Sequence, residues 1–262
     1  MECRMMKIQQ LIPYLALWFI CSSCWSEGDK VTWFYTDSYV YQYVRYDEIV
    51  LRAGSFGEVA VQVNDNGFYG VFSKSDSDLN EHKAKCQLYG DVGYDHTFWE
   101  IAYNYREHAV QDRDFESIRI YSNKDYSSDF PAGADLAPLY CLASRSPYKY
   151  IESGYTLGYS AESLDYPEYY HEYLKRMKGN IQFRIRDGVF PVFGVLSEMS
   201  PKDMKLLGFG DQWESPFEIM TLYPTCLPDD KAVHMITVEL TDTAGEVLTA
   251  SVDVDFSVVT II

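Results

Sequence analysis

Between positions 233 and 256 the chain repeats with a period of two. His234, Ile236, Val238 and Leu240 alternate with Met235, Thr237, Glu239 and Thr241. After Asp242-Thr243-Ala244-Gly245 the pattern resumes as Leu248, Ala250, Val252, Val254 and Phe256. Successive side chains of a strand point to opposite faces, so each arm offers one apolar and one polar face. A Gly-bearing connection between two such arms predicts an antiparallel hairpin that covers a core from one side. The last two strands of an immunoglobulin-like sandwich read this way.

Shorter strand patterns recur at 31–36, 39–46, 48–52, 97–106, 116–122, 180–186, 189–196 and 217–223. A second hairpin is expected over 57–73, where Val59, Val61 and Val63 lead to Asn64-Asp65-Asn66-Gly67 and a return over 68–72. Asp165, Pro167 and Gly179 bracket a helix over 166–178, and Ser200, Pro201, Asp203 and Gly208 bracket a shorter one. The polar stretch 73–81 reads as a loop. The expected fold is all-β, mainly antiparallel, an immunoglobulin-like β-sandwich with one or two short helices. It forms a single domain over 31–262, with a break near 143–150 as the one place to subdivide it.

The first residues address the chain rather than fold it. Arg4 and Lys7 precede an apolar run over 11–20, and Ser22-Ser23-Cys24 follows. A bilayer span needs ~20 apolar residues, so this run reads as the core of a signal peptide. The expected leader is 1–23, the lipidated residue is Cys24, and 24–30 is the tether. Cys21 stands where lipoprotein signals usually carry Leu or Val. Acyl chains on Cys24 anchor the protein to a membrane through ~0.8 kcal/mol per buried CH₂.

Charge narrows the partners. With 22 basic and 39 acidic residues the net charge is −17, which repels phosphate backbones and argues against nucleic acid. Tyrosine is abundant, with 23 copies. Tyr39, Tyr41, Tyr43 and Tyr46, like Tyr103 and Tyr105, suit a strand face that packs its rings while hydroxyls reach water. Sugar rings stack on such faces, and so do neighbouring strands.

Catalytic signatures are sparse. His171-Glu172 lacks the second His that a zinc-protease helix needs, because position 175 is Lys. Asp76-Ser77-Asp78-Leu79-Asn80 starts like a calcium loop, but Glu81 replaces its Gly and Gln87 its closing acid. His82 and His96 flank Cys86 and outline a Cys/His site. Paired carboxylates for glycoside hydrolysis could be Asp112 with Asp114 or Glu168 with Glu172, with nothing in the spacing to choose. No nucleophile elbow or phosphate loop appears, and no cofactor is called for. Outside the leader stand Cys86, Cys141 and Cys226, which allow one disulfide whose pairing stays open.

The segment Phe115-Glu116-Ser117-Ile118-Arg119-Ile120-Tyr121-Ser122-Asn123-Lys124-Asp125-Tyr126, with Phe130-Pro131-Ala132-Gly133-Ala134-Asp135-Leu136 after it, resembles a recurring piece of small Bacteroidota lipoproteins of unknown function. That resemblance implies an outer-membrane, palmitate-bearing lipoprotein facing the exterior or the periplasm, and brings no active-site residue. The expected function is a non-catalytic binding or adhesion module for an extracellular glycan or protein. The alternatives are a glycan-directed hydrolase and a subunit of envelope or fimbrial assembly.

Overall fold

The computed structural model describes residues 32–64, 66–100, 109–157, 188–208 and 217–259. Cys24 and the whole leader lie outside them. So do Tyr103, Tyr105, His171, Glu168 and Glu172, together with the helix expected over 166–178 and the strand expected over 180–186.

The strands in chain order are β1 (Thr32–Thr36), β2 (Gln42–Val44), β3 (Ile49–Ala53), β4 (Val59–Val63), β5 (Phe68–Gly70), β6 (His96–Glu100), β7 (Ala109–Gln111), β8 (Phe115–Ser122), β9 (Tyr140–Ser146), β10 (Phe190–Val195), β11 (Phe217–Pro224), β12 (Val233–Asp242) and β13 (Val247–Asp255). Among the described residues two α-helices accompany them, α1 (Asp76–Tyr89) and α2 (Tyr148–Glu152). The fold is all-β and sandwich-like, with mainly antiparallel sheets. The chain divides into a unit of residues 1–34 and 97–105, whose described part is most of the β1–β6 pair, and a unit of 35–96 and 106–262.

The larger unit holds a five-stranded sheet in the order β10-β9-β11-β4-β3, a three-stranded sheet β13-β12-β8, and a small sheet β5-β2-β7. The C-terminal arms pair from Val233 opposite Asp255 to Thr241 opposite Val247. Asp242 closes their turn by accepting from the N–H groups of Ala244 and Glu246 at 2.9 Å, and Gly245 takes the positive φ that the turn requires. From these two strands and β8, Ile118, Ile120, Ile236, Val238, Leu240 and Leu248 meet Val61, Leu142 and Leu222 of the larger sheet in one buried cluster. Each side chain so buried contributes ~1.5–3 kcal/mol.

Several expectations meet a different outcome. β4 and β5 are not partners: β4 lies between β3 and β11, and β5 pairs with β2. The Asn-Gly turn between them instead links two sheets, with Asn66 and Gly67 exchanging backbone bonds with Arg45. Residues 143–150 are not a break but the end of β9 and the start of α2. Ser200 and Asp203 do pair, with the Ser200 N–H and hydroxyl both donating to the Asp203 carboxylate. No helix follows, because Leu206 and Gly208 turn left-handed and the apolar Met204, Leu206 and Leu207 are drawn into the interior.

The polar stretch 73–81, expected as a loop, begins α1. Ser75 caps it by accepting from the Asp78 N–H, and Asp76 and Asp78 suit the positive end of the helix dipole. Its buried stripe is His82, Cys86 and Tyr89, at spacings of four and three.

Candidate functional site

The sheet β5-β2-β7 has a core on each face. Strand alternation sends Val44 and Ala109 into the main core, and sends Tyr43, Tyr69 and Val110 into a second one. That second core is built mostly of tyrosine. Tyr39, Tyr43, Tyr69 and Tyr89 are buried in it, and Tyr94, Tyr148, Tyr150 and Tyr155 pack against it half-buried. Tyr43 stacks on Tyr69 with centroids 5.4 Å apart and planes 23° from parallel. At the outer side the rings meet edge to face: Tyr39 with Tyr94 at 5.1 Å, Tyr39 with Tyr150 at 5.0 Å and Tyr150 with Tyr155 at 5.6 Å. Such pairs add ~0.5–1.5 kcal/mol each beyond area burial.

Two helix endings place the polar centre of this cluster. α1 stops at Gly90, whose φ is 72°. Gly90 donates its N–H to Gln87 and Asp91 donates its own to Cys86, the paired bonds of a Schellman ending. α2 stops the same way, with Gly154 donating to Ile151 and Tyr155 to Tyr150. The residue after each terminating glycine then meets the other: Tyr155 Oη–H donates to Asp91 Oδ1 at 2.9 Å. Asp91 also accepts from the N–H groups of Tyr39 at 2.7 Å and Val40 at 2.9 Å. It is fully buried. Burial is the main cause that pushes its carboxyl up to about 6, against the pull of those three donors.

The surroundings of Asp91 are mixed. Val92 stands exposed directly after it in the chain, Leu88 and Leu157 lie exposed within three positions of Asp91 or Tyr155, and Tyr35, also exposed, donates its hydroxyl to Asp95. Asp95 and Tyr155 both hold positive φ without being glycine, at 54° and 62°. Residues held in that region cost of order 1–3 kcal/mol and tend to gather at ligand sites. Gly188 closes the cluster from below, since a Cβ there would stand 2.5 Å from the Tyr150 ring.

The opposite end of the second core carries the pair Asp112 and Asp114. Burial pushes Asp112 up to about 6, opposed by Lys85 and Arg113. Oδ1 of each carboxylate is buried without a hydrogen-bond partner, as is the hydroxyl of Tyr69. Lys85 binds the Asp112 carbonyl rather than its carboxylate. Arg45 lies over the Tyr69 ring at 4.3 Å and bonds Asp78 and Glu81. This ion pairing uses Asp78 of the calcium-like stretch at the start of α1, and Glu81 directly after that stretch.

The other sequence candidates behave differently. Cys86 touches His82, with Sγ 3.5 Å from Nε2, but His82 Nε2 also faces the carbonyl of Val40 at 3.0 Å. Burial lowers the His82 pKa and raises the Cys86 thiol to about 12. A nucleophilic cysteine needs a thiolate, so this contact is packing rather than a reactive pair. Among the described residues no disulfide joins Cys86, Cys141 or Cys226, of which Cys226 is exposed.

One constellation escaped the sequence reading altogether. Ser122 Oγ lies 2.8 Å from His234 Nδ1, and His234 Nε2 lies 2.6 Å from Asp230 Oδ1. Ser, His and Asp in that chain of contacts resemble an acyl-transfer triad. Access runs the wrong way. Ser122 is 2% exposed and His234 0%, while the Asp230 side chain is 49% exposed. The serine hydroxyl also accepts the Lys124 N–H, and the rings of Tyr126 and Phe256 wall the imidazole. The relay therefore fastens β8 to β12 and to the turn holding Asp230. The His234 bond is the chief cause that holds the Asp230 carboxyl low.

The chain matches no family model, no curated protein and no solved structure.

Proposed function

We propose that this protein is a lipid-anchored binding module of the cell surface that takes an extracellular, uncharged glycan on the tyrosine cluster around Asp91. The single observation that carries this reading is the set of half-buried rings Tyr94, Tyr150 and Tyr155 over a buried carboxylate, with Tyr150 edge to face against the other two and Tyr94 tilted 54° from Tyr155. Such rings are rigid and amphipathic, so they offer stacking area to the C–H face of a sugar at little entropic cost. Asp37 and Asp95 stand exposed beside them as hydrogen-bond acceptors for hydroxyl groups. The net charge of −17 disfavours anionic glycans. Acylated Cys24 supplies the anchor and 24–30 the tether, at the outer membrane and facing outward.

Two experiments test this. The Cys24→Ser variant should lose palmitate labelling and stay unprocessed; unchanged labelling would reject the anchor. A screen of the mature domain against immobilised neutral glycans should give hits that vanish in Tyr94→Ala. Capture of protein ligands alone would move the reading to a protein receptor.

A second reading rests on Asp112 and Asp114. One carboxyl is raised toward neutrality and the other lies two residues away, both with unpartnered buried oxygens. A carboxyl so raised suits a general acid, and glycoside hydrolysis pairs one with a second carboxylate. Product analysis in the glycan screen tests for hydrolysis, which Asp112→Asn would abolish.

A further inference from the structure

We propose that Lys85 and Asp112 condense to a side-chain amide, an isopeptide bond that staples α1 to the link between β7 and β8. This goes beyond the glycan reading and does not depend on it.

Helix spacing brings the reacting groups together. Lys85 and Tyr89 stand one turn apart on α1, and Asp112 and Asp114 stand two apart in the short link after β7. Lys85 Nζ donates to the Asp112 carbonyl at 2.5 Å, and the Tyr89 hydroxyl faces Asp114. Lys85 is half-buried, whereas Lys83 on the same helix is exposed. Of the charges that act on the Asp112 carboxyl, that of Lys85 is the largest. Each aspartate keeps a buried Oδ1 without a hydrogen-bond partner, and the buried Tyr69 also faces Asp112. Burial favours the neutral acid that condensation consumes.

The link itself is held in place. The Asp112 N–H donates to Val44 at 3.2 Å, the Thr243 N–H donates to Asp114 at 3.0 Å, and Gln111 Oε1 accepts the Arg113 N–H at 2.7 Å. Rotation about the Asp112 Cα–Cβ bond swings its carboxyl carbon toward the amine while the main chain stays fixed. Holding two reactants in this way replaces a collision by a near-attack geometry.

The step balances without a co-reactant. The Asp114 carboxylate takes one proton from the Lys85 ammonium. The freed nitrogen lone pair bonds to Cγ of protonated Asp112. The C–OH bond of Asp112 breaks, and its hydroxyl leaves as water with a second proton from the nitrogen. The third stays on the amide nitrogen, and Asp114 returns its proton to solvent. Because α1 ends at Asp91, the staple also steadies the helix that carries the carboxylate of the tyrosine cluster. Once condensed, Asp112 neither titrates nor donates a proton. The bond therefore excludes the hydrolytic reading and leaves Asp91 as the raised carboxyl that titrates.

The test is tandem mass spectrometry of the full chain after denaturation and trypsin digestion. An acylated lysine resists trypsin. The wild type should therefore lose cleavage after Lys85 and yield a branched peptide containing both residues, lighter by one water than the two linear peptides together. Lys85→Arg and Asp112→Ala should each restore the linear peptides. Asp114→Ala should slow formation of the branched peptide on the order of 100-fold, the contribution of a well-placed base. Wild-type protein that yields only linear peptides, cleaved after Lys85, overturns the bond, and this result needs no variant to fold. A lost water confined to Asp112, as a cyclic imide, overturns it equally. A branched peptide formed as fast in a folded Asp114→Ala overturns the role of Asp114. Glycan binding enters none of these outcomes.

Discussion

Tyr155 and Asp91 occupy equivalent places at the ends of two different helices, and they bond to each other at 2.9 Å. Each follows a glycine that lets its helix terminate, and each donates its own N–H back to the helix it leaves. The hydrogen bond between them joins the ends of α1 and α2 across a wall of tyrosine rings.

Removing that bond is the simplest perturbation. Tyr155→Phe keeps the ring and deletes the hydroxyl donor to a buried acceptor. A bond to a charged group contributes ~1.5–3 kcal/mol. Urea unfolding at pH 7 should show a loss in that range with an unchanged m-value. A loss under 0.5 kcal/mol would mean the hydroxyl finds water equally well in the folded protein.

Two glycines separate backbone strain from steric clash. Gly90 has φ 72° and open space where a Cβ would be. Gly90→Ala should therefore cost only ~1–2 kcal/mol, the penalty of the left-handed region. Gly188 has φ 90° and also abuts the rings of Tyr150 and Tyr39. Gly188→Ala should cost clearly more and alter the near-ultraviolet circular dichroism of the tyrosines. Equal costs for the two variants would contradict the packing described.

Stability should depend on pH in an unusual direction. Asp91 and Asp112 each have a folded-state pKa raised to about 6, chiefly by burial. A raised folded pKa contributes stability that is present below the unfolded value and is lost as pH rises through about 6. For Asp91 the shift corresponds to ~3 kcal/mol. Asp203, Asp230 and Asp255 have lowered pKa values and act in the opposite sense but are well solvated and weigh less, while the buried His82, its pKa lowered by burial, offsets part of the slope that the two raised carboxyls set. The melting temperature should fall between pH 4.5 and 7, and more shallowly in Asp91→Asn.

Thiol chemistry should follow burial. Cys226 is exposed, whereas Cys86 is buried with its thiol pushed up to about 12. Brief treatment of the native protein with iodoacetamide should alkylate Cys226 and leave Cys86 untouched until denaturant is added. Early modification of Cys86 would show that α1 opens readily.

Local patterns carried much of the fold. The β12–β13 hairpin was legible because one face of each arm is buried and the other wet, so its period survives in the residues themselves. β9 was not, because its second half is the half-buried Ala143, Ser144 and Arg145 followed by the buried Ser146, with no alternation to read. α1 was hidden because its buried stripe starts with His82 and its first turns are polar. The candidate site was the least visible part. Tyr39 and Tyr43 share its core as their spacing implied, yet Tyr46 packs into the other core and Tyr41 turns toward Phe72. Asp91 and Tyr155 are 64 positions apart. Only the glycines before them carried a local signal, and it announces a helix end, not a meeting.

The central claim is that the outer tyrosines of the second core bind an uncharged glycan. Its most direct test is calorimetric titration of the mature wild-type domain and of Tyr94→Ala with the strongest neutral oligosaccharide from an array screen. The account predicts saturable binding for the wild type and at least a tenfold weaker affinity for the variant, measured where the variant is still folded by its cooperative unfolding transition. Equal affinity for a folded Tyr94→Ala, or no binding by the wild type across the array, would contradict it.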